Sequence, residues 1–163
     1  MRRLFGYIFL MILGVFLLMQ FMMRPAQINE PVTEDDIVEY LQINADVARM
    51  LKTACYDCHS NQPKYPWYAN VAPFSWNIAS HIYVGRSALN FSEWSTYTSD
   101  DQDTRLKEII EQVEERQMPL PSYLRMHAEA RAVLTSEHIE KLRTWVLSER
   151  EKIKTDTSST SSD

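Results

Sequence analysis

From position 4 to position 23 the chain reads LFGYIFLMILGVFLLMQFMM, an unbroken run without charge in which Gln20 alone is strongly polar. At about 1.5 Å of rise per residue, a helix of this length spans roughly 30 Å, the thickness of a bilayer's hydrocarbon core. The pattern then changes. A short polar connection over residues 25–32 leads into TEDDIVEYLQ, a short helix with Thr33 as candidate N-cap and acids in its first turn. Asn44 is the candidate cap of the next helix, predicted over residues 45–59. Along it Val47, Met50, Leu51, Ala54, Cys55 and Cys58 recur at i, i+3, i+4, i+7, i+8 and i+11, which is one face.

Residues 61–94 break this periodicity with Pro63, Pro66 and Pro73 among many aromatic residues, and read as an extended loop followed by a helix through IASHIYVGRSAL. A polar loop is predicted over residues 95–103. Leu106, Ile109, Ile110 and Val113 mark a further amphipathic helix, which must stop near Gln117 because Pro119 disfavours helical geometry at Met118. The last helix starts near Thr135 or Ser136 and turns Ile139, Leu142, Trp145 and Val146 inward. The tail, residues 152–163, ends in KTDTSSTSSD and reads as disordered. The pattern therefore divides the chain into an apolar segment (1–24), a linker (25–32), one all-α body (33–151) and a tail (152–163). A body of this size is near the lower end for a self-sufficient core, so a large buried cofactor would help it.

Charge gives the apolar run a direction. Arg2 and Arg3 precede it and Glu30, Glu34, Asp35 and Asp36 follow, which places the N-terminus in the cytoplasm and the body in the periplasm or cell exterior. A cleaved signal peptide is the alternative. The run exceeds the usual h-region of about 7–15 residues and MMRPAQIN offers no A-x-A-like site, so a retained single-pass anchor in the cytoplasmic membrane is expected. The formal net charge is −5, and −7 once Arg2 and Arg3 are set aside. An acidic body argues against nucleic acid, which wants a basic patch. With three glycines in the chain, two of them in the apolar run, Gly-rich phosphate loops are excluded.

The only two cysteines stand in ACYDCHSNQPKYPWY, as Cys55-x-x-Cys58 followed by His59. A redox dithiol normally opens a helix after a strand, where the helix dipole favours a thiolate; this pair ends a helix and no βαβ frame surrounds it. Structural zinc needs four ligands, and this segment offers three at most, with His59 awkwardly adjacent to Cys58. C-x-x-C-H is also the attachment signature of c-type haem, in which two thiols add to the two vinyl groups and the next residue binds iron. Export fits, and both thiols are consumed. The expected cofactor is haem c, held through two thioethers with His59 as one axial ligand.

The second axial ligand decides function. A thioether raises the reduction potential and closes the iron. Met118, between an amphipathic helix and the final helix and followed by Pro119 and Pro121 in QMPLPSY, is the expected ligand, with His81, His127 and Met126 as competitors and His138 expected to be solvated. Tyr65, Trp67, Tyr68 and Trp76 are ordinary core aromatics or covers for a porphyrin, and Arg86 is a surface cation or a propionate partner.

Taken together, the haem motif, a methionine before proline and the ending LTSEHIEKLRTWV resemble a class I c-type cytochrome. The resemblance is closer to the haem-binding domain family of membrane-anchored exported proteins, through CYDCHSNQPKYPWY, APFSWNIASHIYVGR, LNFSEW, MPLPSY and Trp145, over residues 44–146. It implies a fold whose first and last helices cross beside the haem, attachment at Cys55 and Cys58, His59 as proximal ligand and Met118 as distal ligand. Three functions are then open: a non-enzymatic one-electron carrier working with unidentified redox proteins, a sensor or peroxidase-like enzyme with an open or labile sixth position, and a binding module completed by haem. The first is the expectation.

Overall fold

The computed structural model describes residues 1–22 and 25–160, and among these it contains helices and turns but no strand. Met23 and Arg24, at the end of the expected anchor, and the last three residues of the expected tail lie outside the described residues. The apolar run forms α1 (Arg2–Phe21), 20 residues long with no buried side chain. By length and composition it is suited to a membrane span or a signal sequence.

The body begins with α2 (Ile37–Tyr40). Its cap is Asp36 rather than Thr33: Asp36 Oδ1 accepts the Val38 N–H at 3.0 Å. Asp36 is fully buried and also receives the Tyr56 hydroxyl at 2.6 Å, whereas the Thr33 hydroxyl turns to Asp35. Asp36 Oδ1 thus gathers a cap and a long-range donor that Thr33 lacks, while its Oδ2 is buried without a partner. Asn44 caps α3 (Ala45–Ala54) through the Val47 N–H, as expected. The helix predicted over residues 45–59 is two helices: Cys55, at φ −123°, ends α3, and α4 (Tyr56–His59) follows at once.

After a 3-10 turn (Trp67–Asn70) comes α5 (Phe74–Ala88), and a second 3-10 turn (Phe91–Thr96) leads to α6 (Ser99–Glu114). Half of the polar loop expected at residues 95–103 is therefore the first turn of α6. Thr98 caps it, accepting the Asp101 N–H at 3.2 Å and donating to Asp101 Oδ2 at 2.7 Å, while Asp100 and Asp101 meet the positive end of the helix. Two short helices, α7 (Pro121–Met126) and α8 (Ala128–Ala132), precede α9 (Ser136–Thr160). Residues 152–160, expected as disordered tail, continue α9. Ile153 packs against the core and the Thr155 hydroxyl bonds back to Glu151 O and Lys152 O, so propagation of an existing helix suffices there.

The core joins α2, α3, α6 and α9 with the second 3-10 turn: Ile37, Val47, Met50, Leu51, Phe91, Trp94, Leu106, Ile110, Leu142 and Val146 are all buried. The first long helix of the body, α3, and the last, α9, are in contact here. Arg150 grips Asp103 through two bonds of 2.7 and 2.9 Å and Arg143 pairs with Glu114, which sets α9 antiparallel to α6. The Arg150 guanidinium holds the Asp103 carboxyl below the usual carboxylate range. Very little of α5 shares this core: only Ser75, Ile82 and Gly85 of its fifteen residues are buried.

Candidate haem site

What α5 faces instead is a cavity of about 600 Å³. That lies within the roughly 300–1,000 Å³ of ligand pockets. One wall is the end of α3 with α4, carrying Ala54, Cys55, Cys58 and His59. A second is the loop of Pro63, Tyr65, Pro66 and Tyr68, and a third is the α5 face with Phe74, Ile78, His81, Ile82 and Gly85. The chain after α6 closes the far side with Met118, Leu120, Tyr123, Met126 and His127. The lining is overwhelmingly apolar.

His59 is fixed on its wall. Its Nδ1 lies 3.1 Å from Leu89 O and must donate there, since a carbonyl only accepts, which leaves Nε2 with the free lone pair. Burial lowers its pKa, so the ring is neutral and able to ligate at neutral pH. Phe91 meets the ring edge-on at 6.2 Å. Burial pushes the Cys55 and Cys58 thiols up to about 12 and about 11, the opposite of the depressed value a redox dithiol uses. Among the described residues there is no group of three or more His, Cys, Asp or Glu placed to hold a metal ion.

Gly85 is what allows α5 to lie against this motif. A Cβ there would stand 2.5 Å from Cys58 O and 3.2 Å from Cys58 Cβ. Gly85→Ala is therefore expected to push α5 off α4 and disturb the Leu89 carbonyl that orients His59. The overpacking costs about 1–3 kcal/mol. A fall in Tm of about 4–12 °C should follow in calorimetry. An unchanged Tm would show that the contact relaxes without cost.

Asp57, between the two cysteines, ties three walls together. Its Oδ2 accepts the Tyr123 hydroxyl at 2.7 Å and its Oδ1 accepts the Lys64 N–H at 2.9 Å. Tyr123 also stacks on His127, with ring centroids 3.9 Å apart and planes within 13°. Burial first, then the Asp57 carboxylate, raises the Tyr123 pKa. Neither Asp57 nor Gly85 was singled out by sequence reasoning. The signal was present only as identity, inside CYDCH and IYVGR.

Met118 reaches the cavity because α6 ends in a Schellman turn: Arg116 adopts φ 57°, its N–H bonds Val113 O, and the Gln117 N–H bonds Gln112 O at 2.9 Å. The helix thus ends at Glu114, short of the Gln117 expected from Pro119 alone. Met118 is 37 % exposed. His81, Met126 and His127, its competitors, line the same cavity. His138 does not; its Nδ1 bonds the Thr135 hydroxyl at the start of α9.

Of the other candidates, Tyr65 and Tyr68 line the cavity, whereas Trp67, Trp76 and Arg86 do not. Trp67 is 79 % exposed. Arg86 donates from Nε to Ser60 O at 2.8 Å, which pins the end of α4, and its Nη2 is buried without a partner beside a neighbouring cavity of about 520 Å³.

The residues present fit a haem: paired thiols, an imidazole with its Nε2 free and further sulfur and nitrogen donors surround one apolar space. A family model describing a haem-binding domain matches residues 14–148. No significant match is found among curated proteins or solved structures. The matched region runs from within α1 into α9 and covers most of the chain, which therefore belongs to the haem-binding domain family.

Proposed function

We propose that this protein is a membrane-anchored monohaem c-type cytochrome that carries single electrons and is not an enzyme. The observation that carries the reading is the wall formed by α3 and α4, where Cys55, Cys58 and His59 line one apolar cavity and Leu89 O holds the imidazole with Nε2 free. Bound haem supplies a one-electron iron couple. Cys55 and Cys58 would hold it through thioethers, and His59 and Met118 would supply the donors to its iron. An imidazole already held by Leu89 O needs little rearrangement between oxidation states. Tyr65, Tyr68 and Phe74 add aromatic surface to the cavity lining. The helix α1 anchors the body to the cytoplasmic membrane, N-terminus inside and body in the periplasm or cell exterior, on the strength of Arg2 and Arg3 before it and the acids after it. Donor and acceptor are redox proteins or membrane reductants meeting this exposed body.

A second reading, a sensor or peroxidase-like enzyme, draws on the Tyr123–His127 stack at the cavity wall, polar groups able to handle a small molecule at an open position. The test is the absorption spectrum of the full chain, made in cells competent for c-type haem attachment, recorded oxidised, reduced and reduced with carbon monoxide. A low-spin spectrum indifferent to the gas is expected. A shift on adding it would move the reading to the sensor or enzyme, and absence of haem would overturn both.

A further inference from the structure

We propose that the loop carrying Trp67, Tyr68 and Phe74 is seated in the headgroup region of the bilayer that α1 crosses, so that the haem cavity is held against the membrane surface rather than swinging on a tether. This rests on the anchor reading of α1 given above.

The first observation is a direct link between anchor and loop. Gln20, one residue before the end of α1, binds both backbone groups of Ala72: its Oε1 accepts the Ala72 N–H at 3.0 Å and its Nε2 donates to Ala72 O at 3.2 Å. Gln20 is also the single strongly polar side chain of the apolar run, and it stands at the end where the helix leaves the hydrocarbon. The linker adds further ties along the same loop. Gln27 Nε2 donates to Asn70 Oδ1 at 3.1 Å, Asn29 Nδ2 to Pro63 O at 3.3 Å, and the Glu30 N–H to Asn61 O at 2.9 Å. These bonds hold the segment of Gln27 to Glu30 against the loop, and the Gln20 pair sets Ala72 beside the end of α1.

The second observation is independent and lies in the surface itself. Between Lys64 and Arg86 the chain has no charged residue, the longest such stretch outside the apolar run. Its rings form a ridge: Trp67 meets Tyr68 edge-on at 5.7 Å and Tyr68 meets Phe74 at 6.5 Å. Trp67 and Phe74 are 79 % and 60 % exposed. Exposed aromatic rings beside the end of a spanning helix match the aromatic belts found at the membrane–water boundary. Lipid is the occupant the geometry favours, because the ridge adjoins the point where α1 emerges. Tyr68 and Phe74 also line the cavity, so the seat brings the cavity rim to the bilayer surface.

The test uses the full-length holoprotein in phosphatidylcholine vesicles containing a phospholipid with a diazirine near the headgroup end of its acyl chain. After illumination, lipid adducts are mapped by mass spectrometry. Adducts are expected both on α1 peptides and on peptides spanning Trp67 to Phe74. In Trp67→Glu the loop adducts should be lost while the α1 adducts and the haem absorption spectrum persist, since Trp67 lies outside the cavity lining. Adducts on α1 alone would overturn the seat and leave the anchor standing. Adducts on neither segment would overturn the anchor reading, and the seat with it. Persistent loop adducts in Trp67→Glu would also refute the assigned ridge.

Discussion

Replacing Cys55 and Cys58 together with serine is expected to abolish haem retention through denaturing electrophoresis and to destabilise the half of the body built on α5. The two thiols stand on one wall of the cavity, and serine cannot form the thioethers that would hold the group there. The consequence for folding follows from where the apolar side chains go. The half made of α2, α3, α6 and α9 has its own buried core, while α5 and the loop before it turn their apolar residues toward the cavity. Without the group those apolar side chains face water, and the burial that would fix α5 against the rest of the body is lost. The double variant should give no haem-stained band, and its circular dichroism should show a weakened, less cooperative melt at lower temperature. A haem band surviving in the double variant would refute covalent attachment at these residues. A cooperative melt at the temperature of the parent protein would refute the dependence of α5 on the cofactor.

Met118→Ala is expected to open the iron and lower the reduction potential with little effect on folding. The side chain is 37 % exposed and sits between α6 and α7, outside the buried cluster, so truncation removes little packing and, on the proposed ligation, one donor to the iron. The Schellman turn at Arg116 is formed by backbone groups and survives the substitution. A thioether ligand raises the potential of haem iron relative to weaker ligands. Its loss should therefore appear as a more negative midpoint in a redox titration, together with carbon monoxide binding that goes from absent to complete. If the spectrum and the midpoint stay as they were, Met118 is not the ligand. The same measurements on His81→Ala, Met126→Ala and His127→Ala then identify which donor on the cavity wall is, because those three line the same space.

Much of the helical plan was legible without coordinates. The 3.6-residue spacing of Val47, Met50 and Leu51, or of Leu106, Ile109, Ile110 and Val113, marks a buried face whatever the fold, and every one of these residues is buried. The caps were less legible. Thr33 looks like a cap locally, but Asp36 takes the role because Tyr56, twenty positions along the chain, donates to it in the interior. Polarity misled at two places: residues 99–103 are helical because Thr98 and two acids suit a helix start, and residues 152–160 are helical as the continuation of α9. Trp67, Trp76 and Arg86 were candidates by residue type, and only their placement shows that they stand outside the cavity lining.

The chemistry of the candidate site divides along the same line. Cys55, Cys58 and His59 are neighbours in the chain, so their spacing is covalent geometry and the sequence by itself determined that these donors stand together. Gly85 fits against Cys58, Tyr123 reaches Asp57 and Leu89 orients His59 across separations of 27, 66 and 30 residues. Contacts of that kind depend on how α5 and α7 pack around the ends of α3 and α6, which local propensity does not encode. The tertiary structure alone therefore decided which sulfur and nitrogen donors share one apolar cavity, and it alone tied the loop of Trp67 and Phe74 to the end of α1.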